Sequence, residues 1–390
     1  MKYFLWLLRI VIGVLFIFSG VVKANDPMGL VYKMNEFYEV LQASCTEHHW
    51  TMLASFMGFM DQYALISSII MIALEIICGV AIIVGFSSRF FTGLLLLLNV
   101  FFLYLTWYAL YSGKIKECGC FGACIKISPE ATFYKDIFLT VLSLILFIYR
   151  KRISSLFNKS TSAAIFLFSV VFSVGIQWWV LEHLPFNDCM PYKPGNNILQ
   201  KMQPGPDYQP AVIESIFIYE KNGEKKEFTI QNYPWQDSTW KFVDRKDKTV
   251  KEATGEPEIH DFILTDSNNV DQTKAILTAK GYTLFWMVRE PDKAHMENIE
   301  KLKTLIDKAA QLHIPFYALS SSNYEDANKF LFKWGIKLPP YTLDGTASKT
   351  AMRTNPGLML IKEGSVVQKW SYKDYPSDIS LNDGKAEFKK

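Results

Sequence analysis

Long apolar runs dominate the first half of the chain, at residues 4–22, 64–86, 90–111, 133–148 and 161–181. A helix needs about 20 apolar residues to cross the ~30 Å hydrocarbon layer of a bilayer. Four runs reach that length, and the fourth in order, which is shorter, has Tyr134 and Tyr149 at its ends, where tyrosines favour the membrane interface. The sequence therefore predicts an α-helical bundle with five membrane spans.

The rest of the chain has a different composition. From about residue 185 onward, charged residues of both signs alternate with short apolar segments, which is typical of a soluble domain.

The net charge of the 390 residues is only +3, and we find no nucleic-acid-binding motif, so a nucleic-acid partner is not indicated. No Walker loop, dinucleotide glycine fingerprint, G-x-S-x-G elbow or H-E-x-x-H helix occurs. Hydrolase, kinase and soluble dehydrogenase activities thus have no candidate residues.

Positive charges between the spans predict the orientation. Arg150, Lys151, Arg152 and Lys159 lie between the fourth and fifth runs, and Arg89 lies between the second and third. Cytoplasmic loops carry an excess of Lys and Arg. We therefore expect these loops and the N-terminus in the cytoplasm, and everything after about residue 181 in a bacterial periplasm, on the outer side of the inner membrane.

This orientation sorts the cysteines. Cys78 lies inside a predicted span, and the other five fall on the outer side: Cys45, Cys118, Cys120, Cys124 and Cys189. Thiols in an oxidising compartment commonly form or exchange disulfides. Three of the five are concentrated in "ECGCFGACIK", residues 117–126, between the third and fourth runs.

A carboxylate lies near the middle of the second run, at Glu75 in "ALEIICG". An ionisable group at that depth normally faces the bundle interior or a water-filled cavity and has a partner. We expect Arg9, in the first run, to be that partner. The pair has two open interpretations, a structural ion pair or a site of proton transfer or ligand binding.

"RIVIGVLFIFSGVVKANDP" at residues 9–27, followed by Glu75 and then "CGCFG" at residues 118–122, resembles the DoxX-like membrane proteins, especially the branch close to the methylamine-utilisation MauE family. Residues 1–150 would then form a four-span DoxX/MauE-like core, with a fifth transmembrane helix at 151–184. "PYKPGNNI" and "RTNPGLMLIKEGSVVQKW" are similar to long Bacteroidetes versions that add a periplasmic domain. The resemblance implies a role in electron transfer or in maturation of exported, disulfide-containing proteins.

Cys118 and Cys120 have the spacing of a candidate exchange pair. A disulfide between them would close a strained ring, which is more easily reduced than a relaxed one. Lysines nearby in sequence, Lys114, Lys116 and Lys126, could lower the pKa of the attacking thiol. Electrons from a client thiol would then pass to a quinone among the spans, near Arg9 and Glu75.

Two other interpretations of the cysteines remain open. Cys45, Cys124 and Cys189 could act as shuttle thiols, or Cys124 and Cys189, which lie outside the "CGCFG" of the resembled family, could form a structural disulfide. Zinc binding is the third possibility, with His48 or His49 as a fourth ligand, although Cys-x-Cys-x3-Cys is not a common zinc spacing.

The soluble half divides into a proline-rich linker with a small β-rich segment at residues 185–272 and a further domain at 273–390. Asn222-Gly223 between alternating segments predicts a β-hairpin. After residue 273, alternating strand and helix patterns and Pro356 before a strand resemble a thioredoxin-like fold. No cysteine follows Cys189, so this domain lacks the Cys-x-x-Cys of redox thioredoxins. His295 lies near the vacated position and is most simply a solvated histidine.

The predicted fold class is thus a membrane α-helical bundle followed by an α/β thioredoxin-like domain with a β-rich insertion. Two functions follow from it: a thiol-disulfide or quinone oxidoreductase acting on exported clients, and a non-catalytic scaffold subunit of a secretion or folding complex.

Overall fold

The computed structural model describes residues 2–115, 119, 122, 124–125, 127–251, 253–382 and 384–389. Within this part, the first half of the chain forms α1 (Lys2–Ala24), α2 (Pro27–Glu47), α3 (Thr51–Gln62), α4 (Ala64–Val84), α5 (Ser88–Ser112), α6 (Pro129–Ile148) and α7 (Lys159–Glu182). Five of these helices, α1, α4, α5, α6 and α7, are long and apolar enough to cross a membrane. The prediction of five apolar spans is therefore confirmed in length and composition.

Local sequence explains where these helices begin and end. The side chain of Asp26 accepts a hydrogen bond from the backbone N–H of Gly29 and caps α2, and Ser128 and Asn158 cap α6 and α7 in the same way. Such side-chain oxygens satisfy backbone donors that have no partner within the helix. Helix α4 ends at Gly85, whose φ of 78° suits glycine.

Helices α1 and α4 pack antiparallel through small residues. A Cβ atom placed on Gly79 would lie 2.7 Å from the carbonyl oxygen of Gly13, so only glycine allows the two backbones this close. Along the same contact Ile17 faces Gly79, and Gly20 faces Ile76. This register decides which polar side chains of the two helices can meet.

After α7 comes the short helix α8 (Ile198–Lys201), followed by an antiparallel sheet of β1 (Val212–Lys221), β2 (Glu224–Thr229) and β3 (Lys241–Lys251) in the order β2-β1-β3. Asn222 and Gly223 connect β1 to β2 with positive φ angles of 55° and 84°. Positive φ at both central residues is typical of a tight hairpin turn. The predicted hairpin is confirmed by the pairing of β1 with β2.

The C-terminal elements are α9 (Thr273–Leu277), β4 (Tyr282–Val288), α10 (Ile299–Gln311), β5 (Phe316–Ser320), α11 (Tyr324–Lys333), β6 (Pro340–Thr342), α12 (Gly345–Ala351), β7 (Gly357–Lys362), β8 (Ser365–Ser371), β9 (Asp378–Asn382) and β10 (Lys385–Lys389). We call them the C-terminal lobe. Strands β4 to β8 form one sheet in the order β6-β5-β4-β7-β8, with β4, β5 and β6 parallel and β7 and β8 antiparallel. The peptide bond between Asn355 and Pro356, just before β7, is cis.

Both faces of the lobe's sheet are buried. Successive side chains of a strand point to opposite faces, so Trp286 packs towards α10 and α11, while its neighbour Phe285 packs on the other face, towards α9 and α12. Tyr192 and Ile198, from the stretch predicted to be a linker, are fully buried in this second face. Part of that stretch therefore belongs to the core of the lobe.

Candidate functional site

The loop between α5 and α6, which we call the thiol loop (residues 113–128), contains the predicted exchange pair. Cys118 and Cys120 lie outside the described residues, whereas Gly119 and Gly122 lie within them. A Cβ atom on Gly119 would lie 3.1 Å from Cγ of Lys33, and one on Gly122 would lie 3.7 Å from Val22. The thiol loop therefore contacts the end of α1 and the first turns of α2.

A disulfide between Cys124 and Cys189 connects the thiol loop to the segment after α7. The two Cα atoms are 5.0 Å apart, and the bond closes a separation of 65 residues. Because each sulfur is bonded to the other, neither residue is a free thiol in this structure. The link ties the thiol loop to the chain that enters the C-terminal lobe.

Two free cysteines, Cys45 and Cys78, lie within the described part of the chain, and both are buried. Cys45 is in the last turn of α2 with 6% of its surface exposed, and Cys78 is within α4 with none. A shuttle thiol has to be reached by another sulfur, and burial restricts such an approach.

The expected ion pair between Arg9 and Glu75 is wrong. The guanidinium of Arg9 donates hydrogen bonds to the backbone oxygens of Ile82 (2.9 Å), Ile83 (2.8 Å) and Ser154 (3.1 Å). The antiparallel register is the reason, because α1 places Gly13 beside Ile83 and Gly20 beside Glu75 and Ile76. Arg9 therefore lies at the far end of α4, where it satisfies carbonyl groups that end the helix.

Glu75 pairs instead with Lys23, in the last turn of α1. The Nζ atom of Lys23 lies 2.5 Å from Oε1 of Glu75 and 3.1 Å from the hydroxyl of Ser19. Both charged side chains are almost completely buried, with 5% and 1% exposed. Ion pairing makes such burial tolerable, since an unpaired charge in an apolar interior is far more costly.

A narrow cavity of about 60 Å³ adjoins this pair inside the bundle. It is lined by Leu15, Phe16, Ser19, Lys23, Glu75, Asn99, Phe102, Lys135, Asp136 and Leu139. Asp136 is buried, and its Oδ1 atom lies 2.9 Å from Nζ of Lys135. The second oxygens of both carboxylates, Oε2 of Glu75 and Oδ2 of Asp136, are buried without a hydrogen-bond partner among the described residues.

This cavity is smaller than typical small-molecule sites, which have volumes of about 300–1,000 Å³. A larger cavity of about 520 Å³ lies beside Arg9, Trp6 and Arg152 at the other end of α1. Arg9 and Lys23 are 14 positions apart in one helix, which corresponds to roughly 21 Å at a rise of 1.5 Å per residue. The residues proposed from the sequence as one quinone site thus belong to two separate places, and we assign no step to a quinone.

The C-terminal lobe is attached to the membrane half by buried ion pairs. Arg353, after α12, donates from Nε and Nη2 to one carboxylate oxygen of Asp26, at 3.1 and 2.8 Å, and each side chain is only 9% exposed. Lys369 in β8 pairs with Asp188 at 2.6 Å. The first pair fixes the lobe against the start of α2, and the second fixes β8 to the segment that follows α7.

Tyr32 of α2 lies at the centre of this interface. The ring is surrounded by the cations of Arg289, Lys349 and Arg353, at 5.3–5.7 Å from its centroid, as in a cation–π arrangement. Burial raises the pKa of the Tyr32 hydroxyl, although the two guanidiniums oppose the shift. The hydroxyl therefore stays protonated at neutral pH.

The lobe face that contacts Tyr32 is the one next to the cis-proline. Arg289 directly follows β4, and the backbone oxygen of its neighbour Glu290 accepts a hydrogen bond from Asn355, at 2.8 Å. His295 has 57% of its side chain exposed and stacks on Tyr372, so its ring points to solvent. The surface at the end of β4 is thus occupied by a residue of the membrane half.

Beside Tyr32, an open groove of about 500 Å³ separates α2 from the lobe. We call it the interface groove, and its walls are Gly29, Leu30, Tyr32, Lys33, Asn35, Glu36, Glu39, Gly119, Gly122, Met190, Thr346, Lys349, Thr350 and Arg353. Tyr32 and Asn35 line the groove, but the Tyr32 hydroxyl and Oδ1 of Asn35 are themselves shielded from solvent and have no hydrogen-bond partner among the described residues. The groove brings the thiol loop, the membrane half and the lobe together.

Sequence reasoning missed Lys23, Asp136 and Tyr32. Lys23 directly follows the first apolar run and Asp136 lies near the outer end of the fourth, where charged residues are ordinarily assigned to the interface. An antiparallel alignment of the first and second apolar runs would have been needed to place Lys23 beside Glu75. No comparable signal in the sequence distinguishes Tyr32 from other tyrosines. Among the described residues no group of three or more His, Cys, Asp or Glu side chains could hold a metal ion, and the zinc interpretation depends on Cys118 and Cys120, which lie outside them.

Comparison with known protein families supports the assignment of the first half of the chain to a membrane. Residues 1–149 match the family model described as Methylamine utilisation protein MauE, and residues 213–252 match one described as Domain of unknown function (DUF8463). Together with its five apolar helices, the match supports a multi-pass, MauE-like membrane protein. A search of curated proteins returned no match.

Proposed function

We propose that the protein catalyses thiol-disulfide exchange with exported proteins, using Cys118 and Cys120 of the thiol loop. The observation that supports this most is the position of Gly119 and Gly122 in the wall of an open groove. Gly119 is bonded to both cysteines, so the proposed exchange pair is adjacent in sequence to a residue that lines the groove.

One round of exchange balances with the client and the loop cysteines as the only reactants, and each further round of client oxidation requires a disulfide oxidant that restores the Cys118–Cys120 disulfide. A thiolate of the client attacks one sulfur of a Cys118–Cys120 disulfide, the sulfur–sulfur bond breaks, and the other cysteine leaves as a thiolate. A second client thiolate then attacks the mixed disulfide, which releases the reduced loop and leaves the client oxidised. Protons lost by the client thiols pass to the loop thiols or to water, and the reverse sequence reduces a client disulfide.

Location follows from the same proposal. The loops predicted to be cytoplasmic contain Arg89 and the cluster at residues 150–152, at the ends of the helices opposite the thiol loop. We propose that the thiol loop and the lobe both face the periplasm, on the outer side of the inner membrane. The Cys124–Cys189 disulfide supports a shared, oxidising compartment for the two.

The C-terminal lobe has the features of a thioredoxin-like domain without the redox cysteines. Support comes from the parallel pair β4 and β5, the antiparallel pair β7 and β8 beside it, and the cis-proline before β7. Because the surface at the end of β4 packs on Tyr32, we propose that this lobe covers the membrane half and forms one wall of the client site.

Replacing both Cys118 and Cys120 by serine tests the exchange in cells. We expect the disulfide content of exported proteins to change in the double variant, with Cys78→Ser as a control because Cys78 is buried inside α4. Unchanged disulfide content across the exported proteome would contradict the proposal.

A scaffold function is the second candidate, and the buried ion pairs that fix the lobe favour it. A scaffold subunit should purify in gentle detergent with partners in fixed stoichiometry. Recovery of the chain alone, with intact exchange activity, would exclude this alternative.

A further inference from the structure

We infer that the cavity beside Arg9 binds the phosphate of an anionic phospholipid headgroup, at the end of the bundle that the positive charges predict to be cytoplasmic. The inference does not depend on thiol-disulfide exchange, because this cavity and the thiol loop lie at opposite ends of the membrane helices. The argument depends on the walls of the cavity, on two guanidiniums and on the adjoining surface of α1.

The cavity has a volume of about 520 Å³ and lies between the first turns of α1 and the segment that follows α6. We call it the arginine cavity, and its walls are Tyr3, Leu5, Trp6, Arg9, Arg152, Ile153, Ser154 and Leu156. The backbone N–H of Leu156 donates to the carbonyl of Val84, at 2.9 Å, and the hydroxyl of Ser88 donates to the carbonyl of Ile153, at 3.3 Å. The segment after α6 is therefore attached to the end of α4 and the start of α5, so the walls are constrained.

Arg9 adds a buried positive charge to the wall. Only 5% of its surface is exposed, and its three hydrogen bonds go to neutral backbone oxygens. The end of a helix supplies only about half of a negative charge, and no Asp or Glu pairs with Arg9 in the part of the chain that the structure describes. A buried charge normally has a counter-charge, so the arginine cavity is electropositive without a ligand.

Arg152 adds a second positive charge, which a ligand can reach. The residue is exposed, its guanidinium carbon lies 5.4 Å from the ring centre of Tyr149, and it forms no ion pair with the other described residues. Ser154 is also exposed, and its hydroxyl makes no hydrogen bond within the described structure. A guanidinium has a fork of N–H donors that matches phosphate oxygens, and the hydroxyl adds a further donor.

The surroundings of the arginine cavity favour an anion. Four further cations lie at this end of the bundle: Arg89, Arg150, Lys151 and Lys159. No Asp or Glu occurs at residues 1–25, 76–116 or 137–181, which include the segments that form this end. An excess of Lys and Arg is usual for cytoplasmic loops, but that rule does not explain a buried arginine without a counter-charge beside a cavity. Basic pockets between membrane helices on the cytoplasmic side are typical sites for anionic lipid headgroups.

The exposed side of α1 favours a lipid over a free anion. Tyr3, Leu7 and Val14 recur with helical spacing on one side of α1, with 88%, 57% and 51% of each residue exposed, and Tyr3 also lines the arginine cavity. Apolar side chains on the outside of a membrane helix contact acyl chains. Tyr3 and Trp6 are of the residue types that favour the level of the headgroups. A lipid can thus place its phosphate in the cavity and a chain along α1.

The test measures binding of dioctanoyl-phosphatidylglycerol to the purified full chain in nonionic detergent by native mass spectrometry. Dioctanoyl-phosphatidylcholine is the comparison, because it has the same acyl chains and a phosphate whose charge is balanced within the headgroup. We expect the anionic lipid to bind in preference. Equal binding of the two lipids would overturn the inference.

Two arginines provide a matched pair of substitutions. Arg152 and Arg89 are both exposed and lie at the same end of the bundle, but only Arg152 lines the arginine cavity. Arg152→Gln should weaken binding of phosphatidylglycerol about fivefold, or about 1 kcal/mol, whereas Arg89→Gln should leave it unchanged. Equal affinities of the two variants, whether both fall or neither does, would contradict a site in the cavity.

A second pair of variants tests the wall formed by α1. Trp6 and Trp50 are 48% and 60% exposed, so neither replacement by alanine removes a core side chain, and only Trp6 lines the arginine cavity. Trp6→Ala should weaken binding of phosphatidylglycerol, and Trp50→Ala should not. Indistinguishable binding by these two variants would reject the cavity as the site.

Inorganic phosphate distinguishes the two sources of the phosphate group. Phosphatidylglycerol should stay bound in the presence of an equal concentration of inorganic phosphate, because burial of its acyl chains contributes to its affinity. Displacement under this condition would show that a free anion is the occupant and would contradict a lipid.

Discussion

The ammonium group of Lys23 contacts the carboxylate of Glu75 at 2.5 Å inside the helical bundle, next to the point where Gly122 of the thiol loop approaches Val22. A buried ion pair thus lies at the end of α1 that Gly122 approaches. The pair, the small cavity and the two carboxylate oxygens that have no hydrogen-bond partner in the described part of the chain form a polar region within an otherwise apolar bundle.

Removal of one partner of this pair should destabilise the bundle. Lys23→Met leaves Glu75 buried without a counter-charge, and we expect a loss of about 3–5 kcal/mol in the free energy of unfolding. The double variant with Glu75→Met should recover most of it. Denaturant unfolding in detergent measures both.

The matched control is Lys33→Met, since Lys33 and Glu36 form an ion pair with 28% and 37% of their side chains exposed. Pairs of this kind contribute at most about 1 kcal/mol. If Lys23→Met were no more damaging than Lys33→Met, the buried pairing would be refuted.

The contact between Asp26 and Arg353 should control how firmly the lobe is attached. Arg353→Met leaves the Asp26 carboxylate without its guanidinium, so we expect faster hydrogen–deuterium exchange at the start of α2 and in α12. Lys308→Met is the control, because Lys308 is 3.9 Å from Asp378 and 44% exposed. Equal exchange rates in the two variants would argue against a fixed lobe.

The Cys124–Cys189 disulfide should hold together the segment before α6 and the segment after α7. A protease site inserted at residues 155–158 would cut the chain between Cys124 and Cys189, and the fragments should separate on a denaturing gel only after reduction. Cys189→Ser should give separate fragments without reductant, whereas Cys45→Ser should not. Separate fragments in the oxidised native chain would contradict this pairing.

Arg9 should be sensitive to a conservative replacement. Lysine has a single ammonium group and cannot reproduce three hydrogen bonds in the fork geometry of a guanidinium. We expect Arg9→Lys to lower the free energy of unfolding by about 2 kcal/mol, the value of one or two hydrogen bonds to a charged group. The exposed Arg89 offers the control Arg89→Lys, and equal stabilities would disprove the role of Arg9.

Hydropathy and periodicity were sufficient to predict most of the helices and strands from the sequence. The apolar runs predicted the membrane-length helices, and the amphipathic spacing of residues 296–312 predicts a helix that the structure shows as α10 (Ile299–Gln311). Such segments can be predicted because their apolar periodicity identifies the face of the element that becomes buried. The alternating pattern of "IHDFILTD" at residues 259–266 predicts a strand, and this prediction is wrong: Phe262 and Leu264 are buried without a continuous strand, and within the segment only Thr265 makes isolated bridges.

The contacts of the candidate site were less predictable. The sequence indicates that Glu75 needs a partner, but the choice between Arg9 and Lys23 depends on the register of two helices, which their glycines determine through close backbone contact. The Tyr32 interface depends on how the lobe meets α2, and no local pattern encodes that.

Trapping a mixed disulfide on the thiol loop tests the proposed exchange most directly. The purified full chain, reduced, is mixed with a peptide whose cysteine carries a thionitrobenzoate leaving group, and mass spectrometry locates the adduct. We predict a stable adduct on Cys120 in Cys118→Ser or on Cys118 in Cys120→Ser, and release of the peptide when both cysteines are present. An adduct confined to Cys45, or none on residues 118 and 120, would contradict the exchange function.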